Sequence, residues 1–291
     1  MNHPNYHLTV DGNILEACQL QTLEFAQSCP DAQLRQLLLY HLQDVGSQTR
    51  AKLAIASSLA LSLATNVCAS IATTCELLHN ASLLIDDVQD QDTTRRGKSA
   101  AWVQFDPNTA ICAGTYLISA AYVAISRIKP QSADLIAHTH RRIANLIAGQ
   151  VQDLRHAEQP ADMASYVQIA MQKSGSLLAL PLEIALIAAQ QTNFVATATK
   201  AGEHFAVAYQ IVDDLHDLEA DAAKGGCNLI HMLSQSSGNL DAATQQAMAL
   251  ARHHLAACLE CAEQLPLQCG AYLQALCQQL AAKHDDRELT H

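Results

Sequence analysis

Two segments far apart in the chain carry the same acidic pattern, Leu84-Ile85-Asp86-Asp87-Val88-Gln89-Asp90 and Ile211-Val212-Asp213-Asp214-Leu215-His216-Asp217. On a helix the first and last aspartates fall at i and i+4, so both carboxylates leave one face, and the middle one sits about 100° round it. Like charges this close on an apolar helix repel unless a cation or ligand offsets them. A single such cluster is as well explained by a solvated helix end. Two copies, each preceded by an apolar pair, favour chemistry. A calcium-binding EF loop does not fit: in the window opening at Asp90, Gly97 falls at the eighth place rather than the sixth, and Ala101 stands at the twelfth. Oxygen-only ligands on rigid helices suit Mg²⁺, which takes one or two carboxylates and completes its shell with water and phosphate oxygens. The expectation is Mg²⁺ held against a polyphosphate by Asp86, Asp87, Asp90, Asp213, Asp214 and Asp217.

A diphosphate also needs cationic donors. Arg95-Arg96-Gly97 follows the first cluster, and Lys173 lies upstream of the second. The guanidinium fork matches phosphate oxygens two at a time. The plainer reading is a surface loop charge. With only 15% of residues charged, a paired arginine beside a paired aspartate favours the functional one.

The elements that must position these groups read as helices. Of 291 residues, 49% are apolar, and glycine (11) and proline (7) are few, which excludes disorder and disfavours an all-β sandwich. The net charge, 17 − 28 = −11, without a long basic run, excludes an electrostatic nucleic-acid binder. Met1 to Gly12 lacks the pattern of a signal peptide, so the ten cysteines are expected to be reduced and core-filling, in the cytoplasm. Cys258 and Cys261 share one helical face and have no second pair to complete a zinc set. His253 and His254 cannot both face one metal from a helix.

Leu53 to Cys75 and Pro107 to Ser126 carry no charge for about the length of a bilayer span. Their Ala, Ser and Thr content reads as buried central helices, and no transmembrane segment is expected. Helices are predicted over 13–28, 31–43, 50–68, 70–90, 109–128, 133–156, 162–174, 177–190, 193–219, 242–265 and 267–283. Gln91 to Ala100 and Ser234 to Asn239 read as loops, and no sheet is predicted. The chain reads as one all-α domain over 1–291.

From about Gly46 to Leu233 the sequence resembles the trans-isoprenyl diphosphate synthases, the polyprenyl synthetase family. The likeness rests on His79-Asn80-Ala81-Ser82-Leu83-Leu84-Ile85-Asp86-Asp87-Val88-Gln89-Asp90, on Arg95-Arg96-Gly97-Lys98 and on Gly149-Gln150-Val151-Gln152-Asp153-Leu154. Lys173-Ser174 and Tyr209-Gln210-Ile211-Val212-Asp213-Asp214 complete it. The resemblance implies a single large helical bundle of the isoprenoid synthase type around a deep central cavity, in a homodimer. It implies that Asp86, Asp90 and Asp213 bind Mg²⁺, three ions with diphosphate bound, bridging an allylic diphosphate. Arg95, Lys173 with Ser174, and Lys224 then neutralise that group. Arg50, His79 and Arg96 hold isopentenyl diphosphate, and Gln210 lies near the developing cation. Ionisation of the allylic C–O bond, attack by the isopentenyl double bond and loss of a proton to the departing diphosphate follow, with water kept out by apolar walls.

Departures keep other readings open. Ser47 stands where the family has lysine in Gly46-Ser47-Gln48-Thr49-Arg50, the segment after Asp217 is short, and Asn228 stands where aspartate is common. A chain with full metal clusters but a weakened acceptor side could instead cyclise or hydrolyse a prenyl diphosphate. No N-x-x-x-S-x-x-x-E pattern follows residue 200, which lowers the cyclase reading. A non-catalytic subunit of a heteromeric synthase is the third reading. Small Ala81 and Ser82 below the metals admit products of C15–C20 or longer, unless Tyr116 or Leu117 supplies a deeper floor. The alternative is that they are small for helix packing. His216 reads as a filler.

Overall fold

The structure, a computed structural model, describes residues 10–156, 162–218 and 228–288. Its helices are α1 (Gly12–Gln27), α2 (Ala32–Leu42), α3 (Thr49–Ala60), α4 (Thr65–Gln89), α5 (Ala101–Gln104), α6 (Pro107–Ser126) and α7 (Ser132–His156). There follow α8 (Met163–Ala188), α9 (Val195–His216), α10 (Leu229–Ser237), α11 (Leu240–Glu263) and α12 (Ala271–Glu288). A two-stranded hairpin, β1 (Thr94–Arg95) and β2 (Lys98–Ser99), interrupts the series. Among the described residues the fold is all-α apart from that hairpin. Its residues gather into two compact units, Met1–Ala137 with Ile184–Gln190, and His138–Glu183 with Gln191–His291.

The first unit is organised by α4, buried on every side from Cys68 to Leu78. Helices α1, α3 and α6 pack on it. Each fully buried Ile71 or Leu77 is worth ~1.5–3 kcal/mol. α1 starts at Asp11, whose carboxylate accepts from Asn13 N at 2.9 Å, and turns Ile14, Cys18, Thr22 and Ala26 inward at every fourth position. Asp31 caps α2 as expected, accepting from Leu34 N at 2.8 Å. The small polar residues that make these helices only mildly apolar bury their hydroxyls on their own backbone. Thr22, Ser57, Ser70 and Thr74 each donate to the carbonyl four residues back.

α6 packs closely because its inner face is Ala110, Ala113, Gly114, Ala120, Ala121 and Ala124. A Cβ on Gly114 would stand 2.7 Å from Ile85 Cγ1 and 3.2 Å from the Ala81 carbonyl. α6 is also the one described helix long and apolar enough, by length and composition, to cross a membrane.

Two boundaries in this unit differ from expectation. The helix predicted over 50–68 stops at Ala60: Ser62 takes a φ of 59° and Leu63 N bonds to Ser58 O, so the chain turns before Thr65. The loop predicted over 91–100 contains the hairpin, with Thr94 opposite Ser99 and Arg95 opposite Lys98. Its turn residues, Arg96 and Gly97, have φ of 52° and 78°, the sense that matches the twist of a two-residue hairpin.

In the second unit α7, α8 and α9 approach at glycines. A Cβ on Gly149 would lie 2.6 Å from Lys173 N, one on Gly175 3.0 Å from Glu203 Cα, and one on Gly202 2.4 Å from Ala179 Cα. Behind these crossings the fully buried Glu183 accepts from His138 Nε2 at 2.8 Å and from the Thr199 hydroxyl. Arg142 Nε stands 3.3 Å from Glu183, and its Nη2 donates to the Gly175 carbonyl at 3.3 Å. α8 runs unbroken through Gly175 and Pro181, where two helices are predicted. The sequence reading assigns no helix to the α10 segment. Leu229 and Ile230 of α10 join Tyr166, Val207, Ile211 and Ala243 in one apolar cluster.

Candidate active site

The first acidic cluster closes α4. Asp90 is the C-cap, its N–H bonding to the Asp86 carbonyl at 2.8 Å. Asp86 is half-buried and Asp90 exposed, whereas Asp87 is turned into the unit. Arg95 Nε donates to Asp87 Oδ1 at 2.8 Å, and Arg95 Nη2 reaches the same oxygen. Arg95 also lies 3.7 Å from Asp92. Burial pushes the Asp87 carboxyl up, and the Arg95 guanidinium works against that rise. The hairpin that carries Arg95 is fixed by Trp102, whose indole donates to the Asp92 carbonyl at 2.7 Å, and by Tyr40, whose hydroxyl donates to the Ser99 carbonyl at 2.7 Å.

A basic group gathers beside it in the same unit. Arg50, in the first turn of α3, places Nη1 3.4 Å from His79 Nε2. Burial, with Arg50 and Arg96 nearby, holds His79 well below the ordinary histidine range, so its ring is neutral. Arg96 donates to the Asp44 carbonyl and lies flat on Gly46, where a Cβ would come within 3.0 Å of its Cζ. Gly46 itself has a φ of 59°, a second reason for glycine there. The three residues expected to share one ligand, Arg50, His79 and Arg96, therefore lie in one neighbourhood. Glu76 shares it and is invisible to motif reading: it is buried, and its Oε1 accepts from Ala51 N at 3.0 Å. A cavity of about 590 Å³ in this unit is lined by Gln19, Thr22, Tyr40, Gln48, Glu76 and Asn80.

One turn below Asp86, Ala81 is buried and Ser82 half-buried, with the Ser82 hydroxyl on the His79 carbonyl at 2.8 Å. Leu117 is fully buried on α6, and Tyr116 donates to the Phe25 carbonyl at 2.8 Å, at the end of α1.

In the second unit the Gly149-to-Leu154 motif has a direct reading. Gly149 admits the backbone of Lys173, and one turn on, Asp153 Oδ2 takes Lys173 Nζ at 2.7 Å. Ser174, next to it, is half-buried. The second acidic cluster closes α9 as the first closes α4: Asp217 is the C-cap, its N–H on the Asp213 carbonyl at 3.0 Å. Asp213 and Asp217 are exposed and Asp214 is buried. Asp214 Oδ2 accepts from the Tyr166 hydroxyl at 2.9 Å and from Leu229 N at 2.8 Å, and Oδ1 accepts from Gln210 Nε2 at 3.0 Å. Asn228 caps α10 through Oδ1 and donates its amide to the Asp214 carbonyl at 2.8 Å. The His216 ring bonds back to the Val212 carbonyl. Lys224 lies outside the described residues.

Both clusters thus have one design, with the middle aspartate bonded into its unit and the outer two at a helix C-terminus. That end already carries partial negative charge, which favours a cation beside the outward carboxylates. All the donors are oxygens, which fits a hard divalent cation that takes two carboxylates and fills its shell from water and phosphate. Among the described residues no three His, Cys, Asp or Glu side chains are grouped to hold a metal ion by themselves.

A family profile described as "Polyprenyl synthetase" matches residues 31–235. The chain is 30% identical over 153 residues to the nonaprenyl diphosphate synthase of Mycobacterium tuberculosis, an alignment covering 52% of this chain and 45% of that one. The chain therefore spans about half the length of that relative. Among solved structures, the geranylgeranyl pyrophosphate synthetase of the archaeon Geoglobus acetivorans superposes with a TM-score of 0.84 at 21% identity, over 94% of this chain and 99% of that one. The polyprenyl synthase of Caulobacter crescentus, solved with calcium and isoprenyl diphosphate, gives 0.81 at 18% identity, over 92% and 93%. These likenesses show the fold.

Proposed function

Because this chain belongs to the polyprenyl synthetase family, we propose that it is a trans-prenyltransferase that condenses an allylic diphosphate with isopentenyl diphosphate. The observation that carries the reading is the end of α4, where two outward carboxylates stand beside a hairpin presenting Arg95 and Arg96. Asp86 and Asp90, and Asp213 and Asp217, are the residues that would hold Mg²⁺. When bound, the ions supply charge neutralisation at the diphosphate oxygens.

The chain's own groups do the rest. Arg95, set by Asp87, presents positive charge to the allylic diphosphate as its C–O bond breaks. In the second unit Asp153 sets Lys173 in the same way. Gln210 gives its amide N–H to Asp214, which leaves its carbonyl dipole for the allylic cation. Arg50, Arg96 and the neutral His79 hold isopentenyl diphosphate. Its double bond forms the new C–C bond, and a proton passes to an oxygen of the departing diphosphate. Ala81 and Ser82 leave room for a product of C20 or longer.

The described cysteines are thiols rather than disulfides, and we place the reaction in the cytoplasm. α7 exposes Ile147, Val151 and Leu154 on one stripe, and we assign that stripe to the contact in a homodimer. Sedimentation velocity tests it: a dimer is expected, and a monomer at micromolar concentration contradicts it.

Ser47 in place of lysine favours a second reading, ionisation without isopentenyl diphosphate as acceptor. Incubation with Mg²⁺ and farnesyl diphosphate, with and without isopentenyl diphosphate, separates the two. An elongated diphosphate supports the synthase. A terpene or alcohol formed without the acceptor supports the second reading, and no turnover contradicts both.

A further inference from the structure

Position 47 lacks a cation, and the structure brings one to the same place from α3. Lys52 Nζ donates to the Ser47 carbonyl at 2.7 Å, so its ammonium lies at the backbone of the residue that has none. The rest of the segment faces the same way chemically. Ser47 Oγ and Thr49 Oγ1 are 2.9 Å apart, and the first turn of α3 has no side-chain cap at Gln48. One bond to a carbonyl leaves the ammonium two further N–H donors.

The surrounding charges show what Lys52 belongs to. Burial raises the Glu76 carboxyl, and Arg50, Arg96 and Lys52 each pull it back. The three cations therefore share one neighbourhood, with Glu76 already bonded to Ala51 N. Asp44 is occupied by Lys98 at 2.7 Å, and His41 and His79 are held neutral by burial and the nearby cations. The group is left with a surplus of positive charge, which a diphosphate would neutralise.

We infer that Lys52 binds the diphosphate of isopentenyl diphosphate in this chain, in place of the lysine absent at position 47. The inference rests on the synthase reading for the identity of the ligand.

Calorimetric titration of isopentenyl diphosphate into the full chain, without metal or allylic substrate, tests it independently of turnover. Lys52→Met is expected to weaken binding about ten- to a hundred-fold, the size of one charge-assisted hydrogen bond. In steady state it should raise KM for isopentenyl diphosphate by a similar factor and leave KM for the allylic diphosphate within about twofold. Lys52→Arg should retain most of the affinity, and Ser47→Lys added to Lys52→Met should restore it. Lys129→Met removes one positive charge at an exposed, unrelated position and should change neither constant. Unchanged binding in a folded Lys52→Met chain, or equal loss in Lys52→Met and Lys129→Met, overturns the inference. Binding that depends on Lys52 in a chain that elongates nothing would keep the inference and discard the synthase reading. No binding by the unaltered chain discards both.

Discussion

Arg95 donates through Nε to Asp87 Oδ1 at 2.8 Å, joining β1 of the hairpin to the last turn of α4. Within one acidic cluster the adjacent residues Asp86 and Asp87 therefore have different work. Asp87 sets the arginine, and Asp86 with Asp90 forms the outward pair.

This division predicts unequal costs. Asp87→Asn removes the ionised partner of a half-buried guanidinium and should lower stability by ~1–3 kcal/mol. Asp90→Asn leaves the Asp87–Arg95 pair in place and should change stability by less than ~1 kcal/mol in metal-free buffer, while turnover falls on the order of a hundred-fold. Thermal melts in EDTA and initial rates in Mg²⁺ check the pair. Equal destabilisation by both substitutions contradicts the assignment.

Asn228 illustrates how a departure from the family pattern is accommodated. Its amide nitrogen donates to the Asp214 carbonyl while its oxygen caps α10, and a carboxylate cannot donate that first bond. Asn228→Asp, although it restores the commoner residue, should cost ~1–3 kcal/mol by chemical denaturation. An unchanged midpoint would falsify this role for the amide.

The pH dependence of stability has a definite sign. Burial and the nearby cations of the hairpin hold His41 down to about 3, and burial with His204 beside it holds His254 down to about 4. Unfolded histidines titrate near 6.5, so between that pH and about 4 the unfolded chain binds more protons. Stability is then fully present above pH 6.5 and falls as the pH drops, at ~1.4 kcal/mol per pH unit for each such group. His41 Nε2 is buried without a hydrogen bond, so His41→Leu should flatten the decline between pH 6.5 and 4 at little cost at pH 8. Urea midpoints across that range measure it, and a slope unaltered by the substitution contradicts it.

Product length is predicted to respond at α4. Ala81→Phe and Ser82→Phe should each shorten the product, Ser82→Phe with the smaller loss of stability because Ser82 is only half-buried. Chromatography of the dephosphorylated products decides. Folded variants that still make the original chain length contradict the placement of the floor.

Much of this site is legible in sequence because its parts are local. An i, i+4 pair of aspartates after apolar residues carries its own geometry, and Asp31 before a periodic run marks a helix start. What escaped reading is set by partners distant in sequence. Asp214 gains its role from Tyr166 and Leu229, and Glu76 from Ala51 N. The break after Ala60 carries neither glycine nor proline to announce it. Gly175 suggests a break that does not occur: its missing Cβ instead lets α8 run unbroken against α9 at Glu203. The hairpin is two residues long on each side, too short for any alternation to register.

The reading turns on the outward aspartates at the end of α4, Asp86 and Asp90, gripping a diphosphate through divalent cations. Calorimetric titration of a non-ionisable thiolodiphosphate analogue of farnesyl diphosphate, with and without Mg²⁺, tests it most directly. Tight binding is expected that requires Mg²⁺ and is lost in Asp86→Ala and in Asp90→Ala alike. Binding that persists without Mg²⁺, or that survives either substitution, would contradict it.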